Sequence, residues 1–169
     1  ATPLVGREEE MELLLERWGR SGRGSGQCSL ITGEPGIGKS RLARELRGRL
    51  ADQAHTFLAG RSSPEARNIA LYPIADLLGR ALGLDHEVSA QDKVAQLEAQ
   101  LSRYGLRPAE AMPLLLPLFA LPVGEPYAPP AVSPQRQKEL TFNAILGLFL
   151  AIAEERPTLL LLEDLHWSD

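Results

Sequence analysis

The stretch of this 169-residue chain that most limits what it can become is Gly33-Glu34-Pro35-Gly36-Ile37-Gly38-Lys39-Ser40, which satisfies the spacing G-x-x-x-x-G-K-[ST]. At average residue usage this spacing turns up roughly 0.006 times in a chain of such length. Its setting narrows the reading further. The apolar segment Cys28–Thr32, the size of a buried strand, runs into it, and a helix carrying Leu42, Leu46 and Leu50 on one face runs out of it. Gly33, Gly36 and Gly38 let the backbone turn tightly with its N–H groups inward, a nest for phosphate oxygens. The helix start adds the positive end of its dipole. Lys39 brings an ammonium to β- and γ-phosphates, and the Ser40 hydroxyl suits Mg²⁺. Glu34, Pro35, Ile37 and Arg41 complete the candidate contacts around the loop. The plain alternative is a Gly/Pro turn joining strand to helix; the strand before and the helix after argue for phosphate.

Composition supports a folded chain and removes several classes of function. At 44% hydrophobic and 24% charged residues the chain is of ordinary globular make-up. A chain this long buries about 70% of its unfolded surface without staples. Its 18 basic against 22 acidic residues leave −4, so no overall positive field favours nucleic acid or an anionic membrane. Cys28 is the single cysteine, which excludes an internal disulfide framework and a cysteine-based zinc cluster and fits a reducing, cytoplasmic setting. The longest apolar run, Ala144–Ala153, is ten residues and too short to span a bilayer.

Along the chain, Met11, Leu14, Leu15 and Trp18 form a helical stripe behind the acidic turn Glu8–Glu10, predicted to stop at Gly19. Residues 19–26 read as a flexible connection. Thr56–Gly60 reads as a second strand, giving the strand–loop–helix–strand rhythm of a parallel βαβ unit. Ile74, Leu77, Leu78 and Leu82 predict a helix from Pro73 to about Gly83. Ser89 with Asp92 predicts a capped helix carrying Val94, Leu97 and Leu101 and ending before Gly105. Seven of the 13 prolines fall between Pro113 and Pro134, which predicts short helical turns and a wrapping loop. Ser133-Pro134 starts a helix to about Glu155, apolar on most faces and expected to be buried against a sheet. The divisions are 1–26 (helix and linker), 27–63 (phosphate-loop βαβ), 64–132 (helical, Pro-rich insert) and 133–169 (helix and last strand).

That last strand, Leu159–Leu162, is continuously apolar, as for a strand covered on both faces, and it ends in Glu163-Asp164. A carboxylate at the C-terminal end of a strand beside a phosphate loop can hold Mg²⁺ through water, and a second can orient an attacking water. Glu163 takes the metal position and Asp164 the water-orienting one. The commoner order puts Asp first, so Glu163 reaches one methylene further, which bears on hydrolysis rather than binding. An ordinary strand ending in solvated acids is the competing reading.

Taken together, Leu4-Val5-Gly6-Arg7-Glu8, the phosphate loop and LLLLEDLHWSD resemble the AAA+/STAND-type signalling ATPases of bacteria. Arg61-Ser62-Ser63-Pro64, Asn68-Ile69-Ala70-Leu71-Tyr72-Pro73 and Ser133-Pro134-Gln135-Arg136-Gln137-Lys138-Glu139 look like the ATPase region that follows class III adenylate/guanylate cyclase domains. That region also occurs in large LuxR-type regulators and some kinase-linked proteins. The resemblance covers nearly the whole chain. It implies a three-layer α/β P-loop NTPase with a parallel sheet, ATP and Mg²⁺ as ligands, and effector domains and self-association as partners. It also implies that Val5, Gly6 and Arg7 lie against adenine. By sequence alone Arg7 reads equally well as a solvated helix-start residue. In such sheets a further strand with a polar sensor residue, a fifth strand and a helical lid follow the acidic strand. The expectation is therefore a sheet truncated after the Walker B strand, binding nucleotide weakly and turning it over negligibly by itself.

The expected role is an ATP-binding regulatory switch, without membrane or direct nucleic-acid contact. Catalysis, where it occurs, would be attack of water on the γ-phosphate with Lys39, Glu163 and Asp164 as the acting residues. One rival is a P-loop small-molecule kinase, in which residues 159–163 would pair directly with 28–32. A GTPase lacks support because no N-K-x-D motif is present. A second rival is a non-catalytic nucleotide-binding scaffold. His55, His86 and His166 lack metal-ligand spacing. Trp167 reads as packing, Cys28 as inert core, Arg61 as a surface salt-bridge residue, and Arg20 and Arg23 as too few for a nucleic-acid patch.

Overall fold

The computed structural model describes residues 6–61, 71–84 and 88–163. Its elements in chain order are α1 (Glu8–Ser21), α2 (Lys39–Arg49), β1 (Thr56–Arg61), α3 (Tyr72–Ala81), α4 (Ala90–Arg103), α5 (Pro108–Leu115), α6 (Pro134–Glu155) and β2 (Thr158–Glu163). The chain divides into two compact units, residues 1–56 and 57–169.

In the first unit α1 and α2 pack on each other. Met11 of α1, Leu42 and Leu46 of α2 and Leu50 at its C-cap supply the buried side chains, the last three at a spacing that returns to one helical face. α1 runs two residues past Gly19. Arg20 pairs with Glu16 at 2.6 Å, the Ser21 hydroxyl donates to the Trp18 carbonyl, and the Gly22 N–H takes the same carbonyl at 3.1 Å. One glycine inside a helix costs only about 1 kcal/mol, and these contacts offset it.

The expected strand at Cys28–Thr32 is not formed. Residues 27–34 form no regular secondary structure and no ladder, and Leu30 is 78% exposed. The Cys28 carbonyl accepts from Arg17 Nη1 at 2.6 Å instead of from a neighbouring strand. Cys28 itself is exposed, so the expectation of an inert core thiol is also corrected. A strand is a pairing and not a local conformation, and an apolar run without a partner stays solvated.

In the second unit β1 and β2 form a small parallel sheet, joined by the long helical crossover that parallel pairing requires. The expected strand positions hold to within a residue or two at each end. Gly60 is needed where α3 crosses β1: a Cβ there would lie 3.0 Å from the Pro73 carbonyl oxygen and 3.1 Å from Leu162 Cδ2. The core of this unit lies among its helices. Leu78 and Leu82, Leu97 and Leu101, Met112, Leu115 and Leu116, and Ile145, Leu148 and Ile152 are all buried together. α5 packs on both α4 and α6.

The two serine caps form as read. Ser89 Oγ accepts from the Asp92 N–H at 3.1 Å, and Ser133 Oγ accepts from the Arg136 N–H at 3.3 Å. The proline-rich stretch holds turns and loop beyond α5, and Pro113 inside α5 goes with a helix of only 8 residues. Two burial expectations need correction. α6 buries one stripe, leaving Phe142, Leu146 and Leu150 43%, 56% and 57% exposed. β2 is half-buried, with Leu160 40% exposed, because among the described residues β1 is its one neighbour in the sheet. Among the described residues no helix is long and apolar enough to cross a membrane.

Candidate functional site

The phosphate loop lies wholly in the first unit, and its shape follows from its glycines. Gly36 and Gly38 sit at φ 83° and 100°, a left-handed region that other L-residues enter at a cost. Neither would meet a neighbour with an added Cβ, so backbone conformation and not crowding requires glycine at both. Gly38 is also the N-cap of α2, its carbonyl accepting from the Arg41 and Leu42 N–H groups at 3.1 and 3.0 Å. No side chain caps α2, so no side chain competes for the first-turn donors that face the loop.

Lys39, the first residue of α2, folds back over the loop. Its Nζ donates to the Gly33 carbonyl at 2.9 Å and to the Glu34 carbonyl at 3.0 Å. The ammonium thus sits at the loop's own rim while Ser40, Glu34, Pro35 and Gly36 stay exposed around it. α2 carries Lys39, Arg41, Arg44, Arg47 and Arg49 against the single acid Glu45. This cationic helix gives the loop a local positive potential in a chain of net charge −4, a signal visible in the sequence that motif reading passes over. Glycines at positive φ, a backbone nest, one rim ammonium and an adjacent hydroxyl are the donor set that suits a polyphosphate with Mg²⁺.

Arg7 and Gly6 lie at the start of α1. Gly6 takes φ 72°, and its N–H donates to Glu8 Oε1 at 3.1 Å. Arg7 pairs with Glu10 at 2.6 Å, and its other nitrogen lies 3.5 Å from the Ile37 carbonyl oxygen. The Glu10 carboxyl is held below the ordinary carboxylate value, first by that hydrogen bond from Arg7. This link from helix start to loop has no local signature in the sequence; the Arg-x-x-Glu spacing shows the ion pair but not the contact thirty positions on. A recess lined by Gly6, Glu8, Glu9, Glu10 and Leu13 flanks this turn. Its three carboxylates repel a polyanion.

Glu163 ends β2 in the second unit and is half-buried. Val5, Asp164, His86, His166, Trp167 and the Arg61 side chain lie outside the described residues. Among the described residues no group of three or more His, Cys, Asp or Glu side chains could hold a metal ion.

Comparison with known proteins gives two matches. The family described as "AAA ATPase domain" matches residues 3–169. An uncharacterized protein of Rhizobium meliloti (strain 1021) is 28% identical over 169 residues, covering 99% of this chain and 16% of that protein. The chain thus spans about a sixth of the curated relative it matches. No solved structure matches it.

Proposed function

We propose, from the premise that this chain belongs to the AAA ATPase domain family, that it is the ATP-binding module of a regulatory switch. Family membership makes nucleotide binding, with ATP and Mg²⁺, the general function. The observation that carries it in this chain is the cradle at residues 33–40, with Gly36 and Gly38 in left-handed conformations and Lys39 Nζ at its rim.

In this reading the loop amides and the first turn of α2 bind the phosphates, and Lys39 exchanges its loop carbonyls for β- and γ-phosphate oxygens. The Ser40 hydroxyl and Glu163 are the residues that would hold Mg²⁺, and Asp164 would align water. Bound Mg²⁺ supplies charge neutralisation on the phosphates. The full arrangement would be the three-layer P-loop fold, with main-chain groups of Val5, Gly6 and Arg7 toward the base. Contacts made only with the γ-phosphate bias a two-state equilibrium and so pass the nucleotide's state to attached effector domains or to a second copy.

Calorimetric titration of the chain, and of any longer polypeptide that carries it, with Mg·ATP tests the reading. Saturable heat is expected; its absence overturns the proposal. For the switch, Mg·ATP and Mg·ADP are expected to give different protection from amide exchange. Identical protection would leave a scaffold. That second reading has its own support in Glu163, one methylene longer than the Asp usual at its position. It predicts equal ATPase rates for a longer parent polypeptide that carries the chain and for its Lys39→Ala variant. The kinase reading gains nothing from the sheet, where the neighbour of β2 is β1 and residues 28–32 form no strand.

A further inference from the structure

Arg7 is where the start of α1 reaches the phosphate loop. Its Nη1 donates to Glu10 Oε1 at 2.6 Å, and its Nη2 lies 3.5 Å from the Ile37 carbonyl oxygen. The ion pair braces the guanidinium, because one prong is committed to a residue one turn along the same helix. The second prong is then directed at the loop. At 3.5 Å the contact is long for a hydrogen bond, but a full cationic charge still acts on a carbonyl dipole over that distance.

The peptide it touches has a glycine on its C-terminal side, Gly38 at φ 100°, and the residue on its N-terminal side, Ile37, follows Gly36 at φ 83°. Glycine lets a neighbouring peptide plane rotate at little steric cost. A trans peptide holds its C=O and N–H antiparallel, so whatever fixes the Ile37 carbonyl also fixes the direction of the Gly38 N–H. A cation on the carbonyl side opposes a flip that would turn that oxygen, and its negative partial charge, toward the phosphates.

We infer that Arg7, braced by Glu10, is a positioning residue that orients the Ile37–Gly38 peptide so that the Gly38 N–H serves the phosphate nest. Arg7 thereby sets the affinity for the polyphosphate part of the ligand without touching it. The inference rests on the nucleotide-binding reading, and its test separates the two.

The probes are Mg·ATP and inorganic tripolyphosphate, titrated calorimetrically into the wild type, Arg7→Ala, Arg7→Lys, Glu10→Gln and Lys39→Ala. Arg7→Ala is expected to weaken both probes by the same factor, on the order of three- to tenfold. Arg7→Lys keeps the charge but loses the two-pronged fork and recovers part of the loss. Glu10→Gln falls between the wild type and Arg7→Ala. The Gly38 amide resonance of the ligand-free protein is expected to shift in Arg7→Ala, which a merely stabilising surface pair would not cause. Wild-type affinity of Arg7→Ala for both probes overturns the inference, and so does weakened binding with the Gly38 resonance unmoved. Should Arg7→Ala fail to fold, wild-type affinities in both Arg7→Lys and Glu10→Gln overturn it equally. A wild type that binds neither probe overturns the nucleotide reading and this inference together, whereas unchanged affinity in Arg7→Ala beside a loss in Lys39→Ala removes only the role of Arg7.

Discussion

The Lys39 ammonium donates to the Gly33 carbonyl at 2.9 Å, six positions back across the phosphate loop, and to the neighbouring Glu34 carbonyl at 3.0 Å. The residue that opens α2 therefore closes the loop preceding it. A cation resting on two carbonyl oxygens has neutral partners, and phosphate oxygens carrying formal charge are stronger ones. On the proposed function, nucleotide binding would exchange weaker acceptors for stronger ones around a side chain already at the rim.

From that exchange follows a first prediction. Lys39→Ala removes a charge-assisted contact of about 1.5–3 kcal/mol, so Mg·ATP affinity should fall roughly ten- to a hundredfold. Folding stability should change little, because Lys39 is only partly buried and its partners are solvent-accessible carbonyls. Lys39→Arg should not rescue binding, since a planar fork does not replace a compact ammonium on two loop carbonyls. Calorimetry beside thermal unfolding checks both halves.

Two glycines of the first unit should respond in opposite directions to the same substitution. Gly38→Ala meets no neighbour but must hold φ 100°, which costs an L-residue about 1–2 kcal/mol. Gly48 lies inside α2, also with open space at its Cβ position, and Gly48→Ala should stabilise by roughly 0.5–1 kcal/mol through helix propensity. Urea midpoints for the two variants decide it. Equal effects would mean that the left-handed turn at Gly38 does not persist in solution.

What could be read from the sequence divides according to the range of the interactions involved. Ser89 with Asp92, and Ser133 with Pro134, announced their helices because a cap is settled within three or four residues. The phosphate loop was legible for the same reason: Gly36, Gly38, Lys39 and Ser40 impose its conformation and charge over eight positions. Cys28–Thr32 departs from its pattern because apolar residues propose a strand but only a partner makes one. Leu160 departs likewise: its type anticipates burial on both faces, and burial depends on elements elsewhere in the chain. The contact between Arg7 and Ile37 joins residues too far apart for any spacing rule.

Acid should reveal the ion pair that braces Arg7. The Arg7 guanidinium holds the Glu10 carboxyl below its ordinary value of 4.5 in the folded chain. The unfolded chain then takes up the proton first as pH falls, so the stabilising contribution is complete above that ordinary value and fades as pH drops through the lower folded one. Glu10→Gln should therefore have a lower Tm than the wild type near neutral pH, with the two curves converging in acid. Salt should shrink the gap, because the pair lies at the surface. A gap that widens in acid would contradict the assignment.

In the second unit a surface pair and a buried leucine offer a direct comparison of what holds α6 in place. Arg103 Nη2 lies 3.0 Å from each carboxylate oxygen of Glu155, joining the ends of α4 and α6, and its guanidinium stands over the Tyr104 ring. Both charged side chains are about half exposed, so Arg103→Ala should cost no more than about 1 kcal/mol and less in salt. Leu148 is 0% exposed, at the centre of the stripe that α6 turns toward the helical core. Leu148→Ala should cost about 2–5 kcal/mol, the transfer of the lost methyl and methylene groups plus the cavity they leave. Urea unfolding with an unchanged m-value measures both. A larger loss from Arg103→Ala than from Leu148→Ala would mean that α6 is held by its charged ends and not by its apolar stripe.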